Sequence, residues 1–195
     1  MGSLDKASRE AALAPPPGRV TIVLDTDTKN EIDDQFAVVY ALLSERIDCR
    51  AIYAAPFANR GYATAAAGME ASYQEILTLA ELLGRHAEDR TILRVSTQLL
   101  TDRGKATENA AVLDLVERCR NADGRLVVVA IGALTNIATA LLLAPDIVDR
   151  MVLLWLGGHP EYWPTAREFN LSGDLKAAQV VFDSGVPMVH FPCKN

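Results

Sequence analysis

The sequence is poor in features that several large classes of protein require. Its three cysteines, Cys49, Cys119 and Cys193, are odd in number and widely spaced, without a Cys-x-x-Cys pair. This pattern predicts free thiols in a reducing, cytoplasmic environment. The net charge is −6 and no basic run occurs, so a nucleic-acid polymer is not an expected partner. No apolar run is long enough to span a membrane, so no membrane contact is expected either.

Familiar catalytic motifs and histidines are also scarce. The sequence contains no P-loop, no Gly-x-Gly-x-x-Gly fingerprint and no Gly-x-Ser-x-Gly elbow, which argues against dinucleotide binding and serine-hydrolase chemistry. Of the three histidines, His86 follows a helix-ending Gly84 and is expected to be solvated. His159 lies in a polar loop without an obvious partner, and His190 is expected in the core of the last strand.

The chain divides into an arm and one α/β domain. Residues 1–19 lack the apolar core of a signal peptide and are predicted to form a flexible N-terminal arm. Over residues 20–195, apolar runs alternate with helical patterns, which predicts an open, mostly parallel, Rossmann-like sheet with helices on both faces. The predicted strands are Val20–Leu24, Arg50–Ala54, Ile92–Val95, Leu126–Ala130, Met151–Leu156 and Pro187–Phe191. The predicted helices are Asp33–Leu43, Ala65–Leu83, Ala106–Arg120, Asn136–Leu143 and Leu175–Ser184.

An acidic cluster directly after the first strand is the most informative feature. Within ten positions the chain carries Asp25, Asp27, Glu31, Asp33 and Asp34. These carboxylates crowd the carboxyl end of a predicted buried strand, which is the edge where open α/β sheets bind ligands. Closely packed anions repel one another, and a hard divalent cation with oxygen ligands, Ca²⁺ or Mg²⁺, relieves that repulsion. The alternative is a solvated acidic loop with an aspartate that caps the next helix.

Two further strand ends carry polar residues whose local roles stay open. Asn59, after the second strand, either donates to a ligand hydroxyl or shapes a turn. Thr135, after the fourth strand, is a natural N-cap for the next helix, although its carbonyl oxygen is also a suitable Ca²⁺ ligand.

The loop after the fifth strand is rich in candidate binding residues. Glu168 and Asn170 alternate along the chain and, in an extended segment, point the same way, which suits recognition of vicinal hydroxyls. Tyr162 and Trp163 either stack on a ring of the ligand or pack at the rim. Asp174 is expected to cap the helix that follows it.

Three motifs in order give the chain a family resemblance. They are Asp25-x-Asp27 with Asp33-Asp34 and Ala37, then Gly132–Ala138, then Glu168–Asn170 with Asp174–Ala178. From Val20 to the last strand, the chain therefore resembles the inosine-uridine-preferring nucleoside hydrolases. Two additional residues separate the halves of the first motif, as expected of a divergent branch of the family.

The resemblance implies an enzyme, a Ca²⁺-dependent hydrolase that cleaves the N-glycosidic bond of ribonucleosides or of a related ribosyl substrate and releases base and ribose. Asp27 would be the catalytic base that takes a proton from metal-bound water. The implied metal ligands are Asp25, Asp27, Asp34 and the Thr135 carbonyl. The implied ribose-binding residues are Asp33, Asn59, Glu168 and Asn170. The resemblance also implies a small-molecule nucleoside or ribosyl substrate, and a homo-oligomer when the enzyme is intact.

The sequence departs from the family pattern in two places. Tyr162 stands where the family often has an asparagine for the 5′-hydroxyl. A His-Asp pair that the family carries further along lies beyond the last residue, Asn195, so the domain over residues 20–195 is expected to lack its C-terminal part.

Two competing interpretations remain. The run Leu24-Asp25-Thr26-Asp27-Thr28 also matches the opening motif of haloacid-dehalogenase-like phosphatases, in which Asp25 would be the phosphoryl-accepting nucleophile and Asp27 the acid/base, with Mg²⁺ between them. A non-catalytic sugar- or nucleoside-binding protein, or a degenerate member of the hydrolase family, is the other.

Overall fold

The central feature of the computed structural model is a sheet of parallel strands. The structure describes residues 4–85, 91–102 and 106–193, and within these ranges six strands form one sheet. They are β1 (Val20–Thr26), β2 (Ile47–Ala54), β3 (Thr91–Arg94), β4 (Leu126–Ala130), β5 (Met151–Leu156) and β6 (Met188–Phe191). Their order across the sheet is β3-β2-β1-β4-β5-β6, and every neighbouring pair is parallel. The predicted open parallel sheet is confirmed.

Helices connect the strands. The described helices are α1 (Lys6–Leu13), α2 (Ile32–Leu43), α3 (Ala65–Leu82), α4 (Ala110–Asn121), α5 (Thr135–Leu143), α6 (Phe169–Gly173) and α7 (Leu175–Ser184), with a 3-10 turn at Pro145–Ile147. Helix α2 packs on α3, while α5 contacts both α4 and α7 in a second layer. Right-handed crossovers place the two layers on opposite faces of the sheet. The five helices predicted between strands are confirmed, with shifts at their ends.

The sheet is held by apolar residues that its strands bury. Val23 on β1, Ile52 and Tyr53 on β2, and Leu153 and Trp155 on β5 are all fully buried. Central strands of a parallel sheet are covered on both faces, so continuous apolar runs are the expected signature. The apolar runs of β4 and β5 therefore mark the first and last residues of both strands in the sequence.

The strand order reverses between β1 and β4. From β1 the chain moves outward through β2 to β3, then returns to the other side of β1 with β4. The carboxyl ends of two such diverging strands leave a crevice in which open α/β proteins bind ligands. The acidic cluster begins at the end of β1, and the Gly132–Ala138 motif follows the end of β4. The two motifs therefore meet at this crevice.

Several sequence-based expectations differ from the structure. Helix α1 lies within the segment predicted to be a flexible arm, for which no helix was expected. It is capped by Asp5, whose Oδ1 accepts the Ser8 N–H at 2.8 Å. None of the residues of α1 is buried. His190 is exposed on the edge strand β6 rather than in the core. His86 lies outside the described residues. None of the described helices is both long and apolar enough to cross a membrane.

Candidate active site

Asp25 lies at the base of the crevice. It is fully buried because β1 has a neighbouring strand on each side, and its Oδ2 accepts the Asn136 Nδ2–H at 2.6 Å. Its Oδ1 has no hydrogen-bond partner among the described residues. Burial raises the pKa of Asp25 to about 7. The Asn136 hydrogen bond opposes this rise in pKa, and the negative charge of Asp34 adds to it.

Asp27 is the least satisfied group in the crevice. It is 1 % exposed, and neither of its carboxylate oxygens has a hydrogen-bond partner in the described ranges. Burial first, and the neighbouring charge of Asp34 second, raise the pKa of Asp27 to about 8. A buried carboxylate without partners is costly, and a bound cation is the usual way in which proteins offset that cost.

Gly132 gives the crevice room around Asp27. A Cβ built on Gly132 would lie 2.9 Å from Asp27 Oδ1 and 3.1 Å from the Cβ of Ala55. Real Cβ atoms do not approach other atoms as closely as 2.9 Å, so glycine lets the end of β4 lie directly against the carboxylate.

Asp34 approaches from the start of α2. It is 7 % exposed, and its Oδ1 accepts the Thr26 hydroxyl at 2.6 Å. Burial raises the pKa of Asp34 to about 7, although the Thr26 hydrogen bond lowers it. The preceding Asp33 is exposed, and its Oδ1 accepts the backbone N–H of Asp34 at 3.1 Å. Asp34 therefore faces the crevice, whereas Asp33 is open to solvent.

The acidic residues fit a hard cation only as part of a larger ligand set. In residues 4–85, 91–102 and 106–193, no three His, Cys, Asp or Glu side chains are grouped closely enough to hold a metal ion by themselves. Asp25, Asp27 and Asp34 therefore do not form a ready-made three-carboxylate site. The unpartnered oxygens of Asp27 and the electrostatic coupling of Asp27 to Asp34 still suit an ion that takes further oxygens from backbone, water or substrate.

Thr135 does not have the local role predicted for it. It is the first residue of α5, and the N-cap position belongs to Leu134. Its hydroxyl donates to Asp174 Oδ2 at 2.8 Å, and its carbonyl accepts the Thr139 hydroxyl at 2.7 Å. Both oxygens thus have protein partners.

Asn59 shapes a turn, which was one of its two predicted roles. Its Oδ1 accepts the backbone N–H groups of Gly61 and Tyr62 at 2.8 and 3.0 Å, and its Nδ2 donates to Asn30 Oδ1 at 3.0 Å. The Asn30 N–H in turn donates to the Asp27 carbonyl at 2.7 Å. Asn59 therefore ties the loop after β2 to the loop after β1, at the rim of the crevice.

Glu168 caps a helix that the sequence did not predict. The expected extended segment is wrong, because α6 begins at Phe169. The Glu168 carboxylate accepts three backbone N–H groups, from Gly158 at 2.6 Å, Asn170 at 3.0 Å and Leu171 at 2.9 Å. It therefore fixes the loop after β5 against the start of α6.

Asn170 links the ends of two strands. Its Nδ2 donates to the Ile131 carbonyl at 2.9 Å and to the Leu156 carbonyl at 3.0 Å, so it holds the ends of β4 and β5 together. The predicted capping role of Asp174 is confirmed, because its Oδ1 accepts the Ala177 N–H at 3.0 Å.

The outer loop is more open. Tyr162 is 77 % exposed, and the Trp163 ring lies 5.7 Å from the His159 ring, centroid to centroid. A separate cavity of about 480 Å³ is lined by Thr135 and Thr139 of α5 and by the loop that follows β3. Its volume is in the range that small-molecule ligands occupy.

Asn136, Gly132 and Asn30 were missed as site residues. All three lie in or beside motifs that the sequence showed, but nothing in the sequence indicated which distant side chain each would meet. The contact of Asn136 with Asp25 spans 111 residues.

Comparison with known proteins shows the family to which this fold belongs. The family model described as inosine-uridine preferring nucleoside hydrolase matches residues 22–194. The chain belongs to this family. Membership in this family overturns the dehalogenase-like phosphatase alternative. In that alternative Asp25 would be the nucleophile, but Asp25 is buried and hydrogen-bonded to Asn136 and so is not accessible to a substrate.

Individual relatives agree with this assignment. The chain is 37 % identical over 89 residues to the pyrimidine-specific ribonucleoside hydrolase RihB of Escherichia coli, covering 44 % of this chain and 28 % of that protein. The solved purine-preferring ribonucleoside hydrolase of Gardnerella vaginalis is 26 % identical with a TM-score of 0.67, covering 88 % of this chain and 60 % of that one. The plant nucleoside hydrolase PpNRh1 is 25 % identical with a TM-score of 0.66, covering 91 % and 60 % respectively.

This chain spans less than two thirds of the length of each of these relatives.

Proposed function

We propose that this protein is a Ca²⁺-dependent hydrolase of the N-glycosidic bond of ribonucleosides, or of a related ribosyl substrate. The proposal rests on the Asp27 carboxylate, which is buried at the crevice between β1 and β4. Neither of its oxygens has a hydrogen-bond partner among the described residues. Membership in the nucleoside hydrolase family supports the reaction class.

Asp27 and Asp34 are the proposed carboxylate ligands of the cation. Asp25 accepts a hydrogen bond from Asn136. We therefore propose that it supports the metal site. The Thr135 carbonyl is left out of the proposed set, because Thr139 already donates to it. When bound, Ca²⁺ lowers the pKa of a coordinated water.

Asp27 is also the proposed catalytic base. Burial and the charge of Asp34 raise its pKa, and a carboxylate in such a water-poor site accepts a proton more readily than a solvated one does. The proton would move from the attacking water to a carboxylate oxygen of Asp27. Gly132 leaves the space against that carboxylate free of side-chain atoms.

We propose that the ribose lies over the mouth of the crevice. Exposed Asp33 and the side-chain oxygen of Asn170 would contact its hydroxyls, while Asn59 and Glu168 position the surrounding loops through the backbone contacts they already make. Cleavage of a glycosidic bond develops positive charge on the sugar, and the clustered carboxylates of the crevice would stabilise that charge.

The remaining expectations complete the proposal. A nucleoside, or a related ribosyl compound, is the proposed substrate class, in keeping with the family. The cytoplasm is the proposed compartment, because Cys49, Cys119 and Cys193 are free thiols, as is usual in a reducing environment.

The test is release of ribose from a panel of purine and pyrimidine nucleosides, first with Ca²⁺ and then with a chelator. We expect release that requires Ca²⁺ and that Asp27→Asn abolishes. Asp123→Asn, which changes an exposed aspartate in the turn before β4, is the matched control and should leave release unchanged. Calcium and nucleoside binding without release would support a non-catalytic member of the family, and release that persists in chelator would contradict the metal assignment.

A further inference from the structure

Trp155 connects the core of the sheet to the wall of the crevice. It lies near the end of β5 and is fully buried. Its indole Nε1–H, the single polar group of the side chain, donates to the carbonyl of Gly132 at 3.1 Å. Gly132 also lies directly against the Asp27 carboxylate, since a Cβ built on it would be 2.9 Å from Asp27 Oδ1. Gly132 therefore contacts the indole through its carbonyl and the carboxylate through its Cα.

The residues around the Trp155 ring hold it in one orientation. The His190 ring stacks on it at 5.3 Å between centroids and 17° between planes, and the Phe182 ring lies edge-on at 5.8 Å and 81°. The backbone of Gly157 lies so close that a Cβ on Gly157 would overlap the indole. His190 Nε2 also donates to the Gly157 carbonyl at 2.6 Å. Because the ring is packed on these sides, the direction of its N–H is fixed.

Gly132 is a position at which such a contact matters. Glycine has more backbone conformations available than any other residue, and Gly132 lies just beyond the end of β4. The residue before it is held on both sides, because the Ile131 N–H donates to the Asp25 carbonyl at 2.9 Å and the Ile131 carbonyl accepts Asn170 Nδ2 at 2.9 Å. The indole extends this restraint by one residue, to the Gly132 carbonyl.

The orientation of Asp27 depends on packing of this kind. Neither of its carboxylate oxygens has a hydrogen-bond partner among the described residues, so the atoms packed against the carboxylate, including those of Gly132, orient it. A buried indole N–H needs an acceptor wherever it lies. A purely structural contact would therefore affect stability alone, whereas a positioning contact also affects what Asp27 binds.

We propose that Trp155 is a positioning residue of the site. Its indole N–H fixes the Gly132 peptide and, through Gly132, holds the Asp27 carboxylate in the orientation that binds the cation. This inference rests on the proposed function in one respect, which is that Asp27 is taken as a metal ligand.

The first test uses NMR of the unmodified chain. The chain has two tryptophans, Trp155 and Trp163, so its proton–nitrogen spectrum contains two indole N–H signals, and Trp163→Phe identifies which is which. On titration with Ca²⁺ we expect the Trp155 signal to shift and to saturate together with binding measured by calorimetry. The Trp163 signal should not shift. Calorimetric binding of Ca²⁺ without a shift of the Trp155 signal would overturn the inference.

The second test removes the donor. Trp155→Phe keeps an aromatic ring without the N–H, and we expect its Ca²⁺ dissociation constant to rise by about three- to tenfold. Leu153→Ala is the matched control, because it truncates a fully buried side chain of the same strand that has no hydrogen-bond donor. It should lower the urea midpoint but leave Ca²⁺ affinity unchanged, and circular dichroism shows that both variants are folded. Unchanged affinity in Trp155→Phe, or an equal loss in Leu153→Ala, would contradict a positioning role.

Hydrogen exchange in chelator separates this inference from the proposed function. Over residues 131–136, Trp155→Phe should exchange faster than both the unmodified chain and Leu153→Ala, because the Gly132 carbonyl has lost its donor. If the unmodified chain binds no Ca²⁺, the proposed function fails, and faster exchange would still support the restraint of Gly132 by Trp155. Unchanged exchange in Trp155→Phe would overturn the inference whether or not Ca²⁺ binds.

Discussion

The side-chain amide of Asn136, in the first turn of α5, donates to the carboxylate of Asp25, at the end of β1, over 2.6 Å. Both residues are fully buried. The hydrogen bond crosses the point where the strand order reverses, and so joins the two elements that form the walls of the crevice. It satisfies Asp25 Oδ2, while Oδ1 has no partner among the described residues.

Removing this donor should destabilise the fold. In Asn136→Ala, Asp25 would lose its hydrogen bond while remaining buried, and we expect the free energy of unfolding to fall by about 1–3 kcal/mol. Urea denaturation at neutral pH measures this change. Asn121→Ala, at the exposed end of α4, is the control and should shift stability much less. Equal effects of the two substitutions would mean that the Asp25 contact contributes little.

Gly132→Ala should weaken metal binding. The added Cβ would lie 2.9 Å from Asp27 Oδ1, so the carboxylate or the end of β4 must shift, at a cost of about 1–3 kcal/mol. We expect calcium affinity to fall by about tenfold or more, as measured by calorimetry. Gly61→Ala meets its nearest atom, Asn59 Oδ1, at 3.4 Å and serves as the control. An unchanged affinity in Gly132→Ala would place the metal away from Asp27.

Stability without metal should decrease as pH rises. Burial raises the pKa values of Asp25, Asp27 and Asp34 from an ordinary 3.8 to about 7, about 8 and about 7. Between pH 4 and 8 the unfolded chain has therefore released protons that the folded chain retains, so a rise in pH favours unfolding. In chelator, the urea midpoint should fall across this range.

Calcium and a matched substitution check the origin of that pH dependence. Bound Ca²⁺ favours the ionised carboxylates, so the fall should be smaller when Ca²⁺ is present. Asp27→Asn removes one of the titrating groups and should also reduce it, whereas Asp123→Asn should not. A midpoint in chelator that rises from pH 4 to 8 would contradict the raised pKa values.

Much of this fold could be predicted from the sequence, because it depends on local patterns. The strands Leu126–Ala130 and Met151–Leu156 are uninterrupted apolar runs, and they begin and end where predicted. The acidic cluster directly follows the apolar run of β1. Predicting that strand was therefore enough to place the cluster at the carboxyl edge of the sheet. These features predicted the fold class, and the six-stranded parallel sheet confirms it.

The errors concern short elements and distant contacts. Helix α6 has five residues, Phe169–Gly173, too few to show a helical period, and glutamate is not among the preferred N-cap residues, so Glu168 gave no sign of a helix start. Thr135 has a side chain that suits an N-cap, but its hydroxyl donates instead to Asp174, 39 residues away. Tertiary partners of this kind leave no trace in local sequence.

Glu168→Ala should loosen the loop that follows β5. The substitution leaves the backbone N–H groups of Gly158, Asn170 and Leu171 without their acceptor, and we expect a loss of about 1–3 kcal/mol in stability. Hydrogen exchange should speed up over residues 157–171. Glu161→Ala, in the same loop but exposed, should leave exchange unchanged. Exchange that Glu168→Ala does not accelerate would show that the loop is held by other contacts.

Calorimetric titration of this chain with Ca²⁺, alongside Asp27→Asn and Asp123→Asn, tests the central claim most directly. If the unpartnered carboxylate of Asp27 marks a metal site, the unmodified chain and Asp123→Asn should bind one Ca²⁺, and Asp27→Asn should bind it at least about tenfold more weakly. Absence of Ca²⁺ binding in the unmodified chain, or equal binding by Asp27→Asn, would contradict the assignment of this crevice as a calcium site.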